Sequence, residues 1–312
     1  PPKDGVGLAR KIGLDHACAV LHAKGLPDAP LISLDADTRV NANYLEVIET
    51  HFQSAHGPWS AIVSYAHPLD GPPEHRRAII DYELFLRGHE LGLRRAGSPY
   101  AFPTIGSTIV CAPRAYAATG GMRRKQAAED FYFLQDLVKT GPVTSISTTT
   151  VHPAARASHR VPFGTGATLQ KNAPQEIYAL ESYHALADFL NQVPEFIERG
   201  LCGEDFLAQI QPQPIRDFLL QYKFPERWNG ILQNTATPTQ RREQFHRWFD
   251  ALRTLRLFHF LRGHGHPDTA LRETLPELLA WCGIEARASK ADPALLLSTL
   301  RADWSLPGAA LP

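Results

Sequence analysis

The chain has 312 residues, of which 44% are hydrophobic and 21% are charged, which is ordinary for a soluble globular protein. Basic and acidic residues number 32 each, so the charge balance gives no reason to expect a nucleic-acid partner. The cysteines are scattered without a metal-binding spacing, no apolar run is long enough for a transmembrane helix, and no signal peptide is recognisable, which together predict a cytoplasmic protein.

Helical and extended patterns alternate along the first half of the chain. In chain order they predict a helix from Gly7 to Lys24, a strand at LISL, a helix at NANYLEVIETHF, a strand at WSAIVSYA, a long helix at HRRAIIDYELFLRGHELGLRRAG, a strand at STIVCA, helices at PRAYAATGG and AEDFYFLQDLVKTG, and a strand at PVTSISTTTV. Such alternation predicts an α/β layer fold.

Beyond residue 166 the pattern changes to helical periodicity with few strand signals. We therefore predict a domain boundary near residue 170, with an α/β domain over residues 1–170 and an all-helical domain over residues 171–312.

The predicted strand LISL leads into Asp35 and Asp37, two carboxylates one residue apart. Carboxylates this close repel each other unless a positive or hydrogen-bonding group lies between them, and a divalent cation is the usual occupant. In one interpretation Asp37 holds Mg²⁺ or Mn²⁺ against the diphosphate of a nucleotide-sugar, while Asp35 contacts the nucleoside. The alternative is a metal-dependent phosphatase in which Asp35 is the nucleophile and Asp37 the acid/base.

A second acidic pair, Glu129 and Asp130, begins a predicted helix after a glycine-rich loop. A carboxylate at this position is suited to take a proton from an attacking hydroxyl group. The two acidic pairs, in this order, favour the nucleotide-sugar interpretation.

Taken together, these segments resemble the family 2 glycosyltransferases of the GT-A fold over roughly residues 5–165. The matching segments are GVGLARKIGLDHA, LDADTRVNANYL, the glycines Gly120 and Gly121, and EDFYFLQDLVKTG. The blocks YAFPTIGST and RVPFGTG look most like those of a little-described bacterial subgroup.

The resemblance implies a role for each matching residue. Asp37 would be the metal ligand and Asp35 a donor contact, while Asp130 would be the catalytic base of an inverting transfer and Glu129 an acceptor contact. Arg10 would face the donor, and Gly121 would line the substrate site. The family begins with a strand and base-binding segments that this chain lacks, so we expect an N-terminally incomplete GT-A-like sheet with flanking helices.

A loop after the last predicted strand carries further candidates. His152 is a candidate third metal ligand, and Arg156 and Arg160 are candidates for clamping phosphate oxygens, the alternative being an exposed cationic loop. The sequence thus predicts metal-dependent transfer of a sugar to a glycan, lipid or other hydroxyl acceptor. The alternatives are the phosphatase and a catalytically inactive binding domain, and the inner face of the membrane is an alternative location.

Overall fold

The computed structural model describes residues 5–54, 58–155, 176–284 and 292–302. The strands are β1 (Leu31–Ile32), β2 (Arg39–Val40), β3 (Ser60–Tyr65), β4 (Ile109–Cys111), β5 (Val143–His152), β6 (Glu176–Ile177) and β7 (Thr269–Ala270). The helices are α1 (Val6–Ala23), α2 (Tyr44–Phe52), α3 (Pro73–Arg95), α4 (Pro113–Ala118), α5 (Glu129–Thr140), α6 (Leu180–Glu198), α7 (Gly203–Gln209), α8 (Gln213–Gln221), α9 (Phe224–Gln233), α10 (Pro238–Trp248), α11 (Ala251–Arg262), α12 (Leu271–Trp281) and α13 (Pro293–Ala302).

Two compact units divide the described residues. The first unit contains residues 5–54, 58–86, 102–155 and 292–302, and the second contains residues 87–101 and 176–284. Helix α3 contributes residues to both units. The predicted domain boundary near residue 170 stays a prediction.

The first unit is built on a mixed sheet of five strands in the order β1-β4-β3-β5-β2. Strands β3 and β5 run parallel, and the other neighbouring pairs run antiparallel. All six residues of β3 are buried, as in a central strand that is covered on both faces. The α/β class predicted from the sequence is confirmed, whereas the GT-A-like identity of the sheet stays a prediction.

The pairing of β3 with β5 contains a shift in register. Val63 pairs with Ile146, but the next residue, Ser64, pairs with Thr150, so residues 147–149 bulge out of the ladder. Asn43, at the start of α2, donates to the Thr148 carbonyl oxygen at 3.1 Å, which holds the bulge in place.

The second unit is mainly helical. It also contains an antiparallel ladder of β6 and β7, in which Glu176 pairs with Ala270, where the sequence had predicted helices alone. Trp228 and Phe258 are buried in its core. Within the described parts of the chain, no helix combines the length and apolar character needed to cross a membrane.

Candidate functional site

The start of α1 lies against the loop that leads into α5. The Gly7 N–H donates to the Lys125 carbonyl oxygen at 3.2 Å, and a Cβ atom at position 7 would lie 2.6 Å from that same oxygen. Only glycine permits so close an approach. The contact brings the first turns of α1 beside the first turn of α5, and Arg10 lies one turn further along α1.

Arg10 joins the two acidic pairs that the sequence singled out. Its Nη2 lies 2.5 Å from Asp35 Oδ1 and its Nη1 lies 2.9 Å from Glu129 Oε1. The side chains of Arg10 and Glu129 are 12% and 5% exposed, so this ion pair is largely shielded from water, whereas the Asp35 side chain is 39% exposed. Burial disfavours the charge of Arg10, but the carboxylates of Asp35, Glu129 and Asp130 outweigh burial and raise its pKa.

Asp35 is held on both carboxylate oxygens. Ser107 Oγ donates to Asp35 Oδ2 at 2.8 Å, while Oδ1 receives the bond from Arg10. The Thr38 hydroxyl lies 3.0 Å from the same serine oxygen, so the loop after β1 is tied to the short helical turn that precedes β4. Ser107 is a site residue that was not predicted from the sequence.

Gly106 leaves the space that the Arg10 guanidinium occupies. A Cβ atom at position 106 would overlap Nη1, Nη2 and Cζ of Arg10. Gly106 was likewise not predicted to be a site residue, although it belongs to the segment YAFPTIGST. The available signal was a glycine next to a strand, which often marks a close approach of another group.

Glu129 and Asp130 occupy the first turn of α5, directly after Ala128, whose φ of 60° lies in the left-handed region. Burial raises the pKa of Glu129, and the neighbouring Asp130 charge raises it further, against the opposing effect of Arg10. Burial also raises the pKa of Asp130, again against Arg10. Asp130 Oδ1 accepts a hydrogen bond from the Phe131 N–H at 2.8 Å.

The glycine pair before α5 forms a turn that is tied to α1. Gly120 and Gly121 have φ values of 75° and 80°, which side-chain-bearing residues rarely adopt. The Tyr116 hydroxyl accepts from the Met122 N–H at 3.2 Å and donates to Asp15 of α1 at 2.6 Å. The turn explains why Gly121 is glycine, while its predicted contact with substrate stays a prediction.

The predicted metal ligands do not form a cluster of protein side chains. Asp37 is exposed in the loop between β1 and β2. His152 Nδ1 lies 2.9 Å from the Ala66 carbonyl oxygen and Nε2 lies 2.9 Å from Asn41 Oδ1, so both ring nitrogens are engaged. Among the described residues, no group of three or more His, Cys, Asp or Glu is arranged to hold a metal ion. Arg156 and Arg160 lie outside the described residues.

The site therefore places three carboxylates, those of Asp35, Glu129 and Asp130, around one guanidinium. Such a set can attract a cation, and it offers a carboxylate as a proton acceptor. No protein-family model, curated protein or solved structure matches the chain. The chemistry of the site is accordingly inferred from its own residues.

Proposed function

We propose that the first unit is a glycosyltransferase of the GT-A type, which transfers a sugar from a nucleotide-diphosphate sugar to a hydroxyl acceptor with inversion. The observation that carries this proposal is the pair of Arg10 ion pairs, which join Asp35 of the first acidic motif to Glu129 of the second. In a transfer reaction, the residues that contact the donor and those that contact the acceptor have to lie close together, as Asp35 and Glu129 do here. The acceptor would be a glycan, a lipid or another hydroxyl compound, met in the cytoplasm or at the inner face of the membrane.

The donor diphosphate needs positive partners in a site that is rich in carboxylates. Arg10 supplies one positive charge there, and its Nε, which is buried, has no hydrogen-bond partner among the described residues. Asp37 is an exposed residue two positions after Asp35, and Mg²⁺ is typically bound by one or two carboxylates together with substrate phosphates. These residues fit Mg²⁺ or Mn²⁺, which when bound would offset the charge of the leaving diphosphate.

Asp130 is the proposed catalytic base. Its carboxylate takes the proton of the acceptor hydroxyl while the hydroxyl oxygen bonds to the anomeric carbon. The bond from that carbon to the diphosphate breaks on the opposite face, and the diphosphate leaves with the bonding electrons. The raised pKa of Asp130, caused by burial, brings it closer to the range in which a base works well near neutral pH.

The phosphatase alternative requires Asp35 to attack phosphorus through a carboxylate oxygen. Both of its oxygens already accept hydrogen bonds, from Arg10 and from Ser107. This arrangement favours a fixed contact residue over a nucleophile.

The proposal is tested by incubating the chain with Mn²⁺ and a panel of uridine-, guanosine- and thymidine-diphosphate sugars, and measuring the release of nucleoside diphosphate. Asp130→Asn should lower turnover by about 10²-fold or more while leaving donor affinity nearly unchanged, because an amide cannot take the proton. The matched control is Asp136→Asn in the same helix, since Asp136 pairs with Arg123 instead of Arg10. Equal turnover in the two variants would contradict the role of Asp130, and the absence of release from every donor would contradict the activity.

A further inference from the structure

The adjacent carboxylates of Glu129 and Asp130 have unlike surroundings. The Glu129 side chain is only 5% exposed and is bound by Arg10 Nη1. Asp130 is half-buried, and its Oδ1 accepts from a backbone N–H of its own helix turn. We propose that Arg10 is a positioning residue that gives these two carboxylates different roles. It holds Glu129 and Asp35 through two ion pairs, an arrangement called the brace below, and it leaves Asp130 as the group that exchanges the proton.

The brace depends on the shape of the guanidinium group. Nη1 and Nη2 point to different carboxylates, Glu129 on α5 and Asp35 after β1, at 2.9 Å and 2.5 Å. A lysine ammonium is a compact point charge and does not offer the planar fork that serves both partners at once. Gly106 completes the brace, because a side chain there would overlap the guanidinium.

The charges around Asp130 come from three elements of the first unit. Arg10 of α1 stabilises its ionised form, Asp35 in the loop after β1 opposes it, and Glu129 is its neighbour on α5. While the brace is intact, the guanidinium offsets the charges of Glu129 and Asp35. Displacing it leaves Glu129 and Asp130 as adjacent carboxylates without that counter-ion, and the proton is then shared between them instead of being exchanged at Asp130 alone.

Only the proton transfer at Asp130 rests on the proposed function; the brace can be measured without turnover. The experiment is a pH titration of the full chain carrying ¹³C-labelled Glu and Asp carboxyl groups, followed by NMR. The Glu129 and Asp130 signals are assigned from the single variants Glu129→Gln and Asp130→Asn. Burial raises the pKa of both carboxyl groups, but the ion pair with Arg10 favours the charged form of Glu129, so in the unaltered chain we expect Glu129 to stay ionised over the range in which Asp130 titrates.

Gly106→Ala should displace the guanidinium without removing its charge from the chain. We expect the Asp130 midpoint to rise by about one pH unit or more, and Glu129 to titrate over the same range. The matched control is Gly13→Ala in α1, where a Cβ atom meets nothing within 4 Å, and which should leave both curves in place. Arg10→Lys keeps the charge and the backbone of position 106, so it tests the brace even where Gly106→Ala fails to fold.

Two outcomes would overturn the inference: joint titration of Glu129 and Asp130 in the unaltered chain, or unchanged curves in folded Arg10→Lys. Separate titration in a chain that releases no nucleoside diphosphate from any donor would support the brace and contradict the glycosyltransferase. Turnover of a donor by the unaltered chain, combined with unchanged titration curves in Arg10→Lys, would support the glycosyltransferase and contradict the brace.

Discussion

Arg301 and Glu83, which lie 218 positions apart in the chain, form an ion pair through two hydrogen bonds: Nε to Oε1 at 2.8 Å and Nη2 to Oε2 at 2.7 Å. The Glu83 side chain is fully buried. Its Oε2 also accepts from the His67 N–H at 2.9 Å, and Arg301 Nη2 donates to the His67 carbonyl oxygen at 2.8 Å. These contacts attach α13 to α3 and to the segment that follows β3.

Arg301→Ala should therefore destabilise the first unit. The change removes a counter-ion of a buried carboxylate, and breaking a buried pair in this way typically lowers the free energy of unfolding by about 3 kcal/mol. Urea unfolding measures the change. The control is Arg199→Ala, whose pair with Glu195 is exposed and should contribute less than about 1 kcal/mol. Equal losses in the two variants would show that burial of Glu83 does not set the effect.

Gly141→Ala and Gly230→Ala should change stability in opposite directions. A Cβ atom at position 141 would lie 2.6 Å from the ring of Trp59, whose Nε1 donates to Thr140 Oγ1 at 3.1 Å. The added methyl group should therefore overpack this contact and lower the free energy of unfolding by about 1–3 kcal/mol. At position 230, inside α9, a Cβ atom meets nothing within 4 Å, and alanine should stabilise the helix by about 0.5–1 kcal/mol. Thermal or urea unfolding measures the sign of the change in stability for each variant. An increase in stability in Gly141→Ala would contradict the close packing against Trp59.

Stability of the second unit should fall on mild acidification. His89 packs against Tyr178, Tyr183 and Phe258, and burial lowers its pKa from 6.5 to about 4. The unfolded chain binds the proton more readily than the folded one. The contribution of neutral His89 to the free energy of unfolding is therefore fully present above pH 6.5 and is lost as the pH falls toward about 4.

At about pH 5, the titration of His89 alone should lower the free energy of unfolding by on the order of 2 kcal/mol relative to neutral pH. His89→Gln removes this titration, so the pH dependence of its unfolding should be shallower than that of the unaltered chain. The burial of His246 lowers its pKa to about 4 as well and leaves a residual dependence of the same sign. Parallel pH profiles for the variant and the unaltered chain would exclude His89 as a source.

Asp37→Ala should abolish Mn²⁺ binding near the first acidic motif while leaving the fold intact, because an exposed side chain is removed and not a core contact. Isothermal titration calorimetry with Mn²⁺ alone measures the loss. Asp70→Ala is the matched control, since Asp70 is an exposed aspartate that faces Arg39. Unchanged Mn²⁺ affinity in Asp37→Ala would remove Asp37 from the metal site.

The elements that the sequence predicted correctly are those that carry their own periodicity. The apolar run that predicted a strand at WSAIVSYA became Ser60–Tyr65, and the helical pattern after Ala128 became α5. Strand β2 was missed because Arg39 and Val40 are both exposed, so no buried alternation marks them, and their extended form comes from pairing with β5. The two-residue strands β6 and β7 also take their extended form from pairing, in this case with each other.

The candidate site was predictable as residue types but not as an arrangement. The acidic pairs and Arg10 were singled out from short segments and from the family resemblance, yet the contacts that join Arg10 to Glu129 span 119 positions. Ser107 and Gly106 act through such distant partners, Asp35 and Arg10, and the only local signal was the glycine itself, which does not identify the group that approaches it.

The missing Cβ at Gly106 also constrains how this chain can diverge. While position 10 carries arginine, a side chain at position 106 has to displace its guanidinium from Asp35 and Glu129, so the absence of a side chain at 106 serves a residue on α1. A shorter side chain at position 10 would release position 106 at the same step. In descendants of this sequence a side chain at position 106 should therefore accompany a shorter residue at position 10, and a library randomised at both positions should recover this pairing.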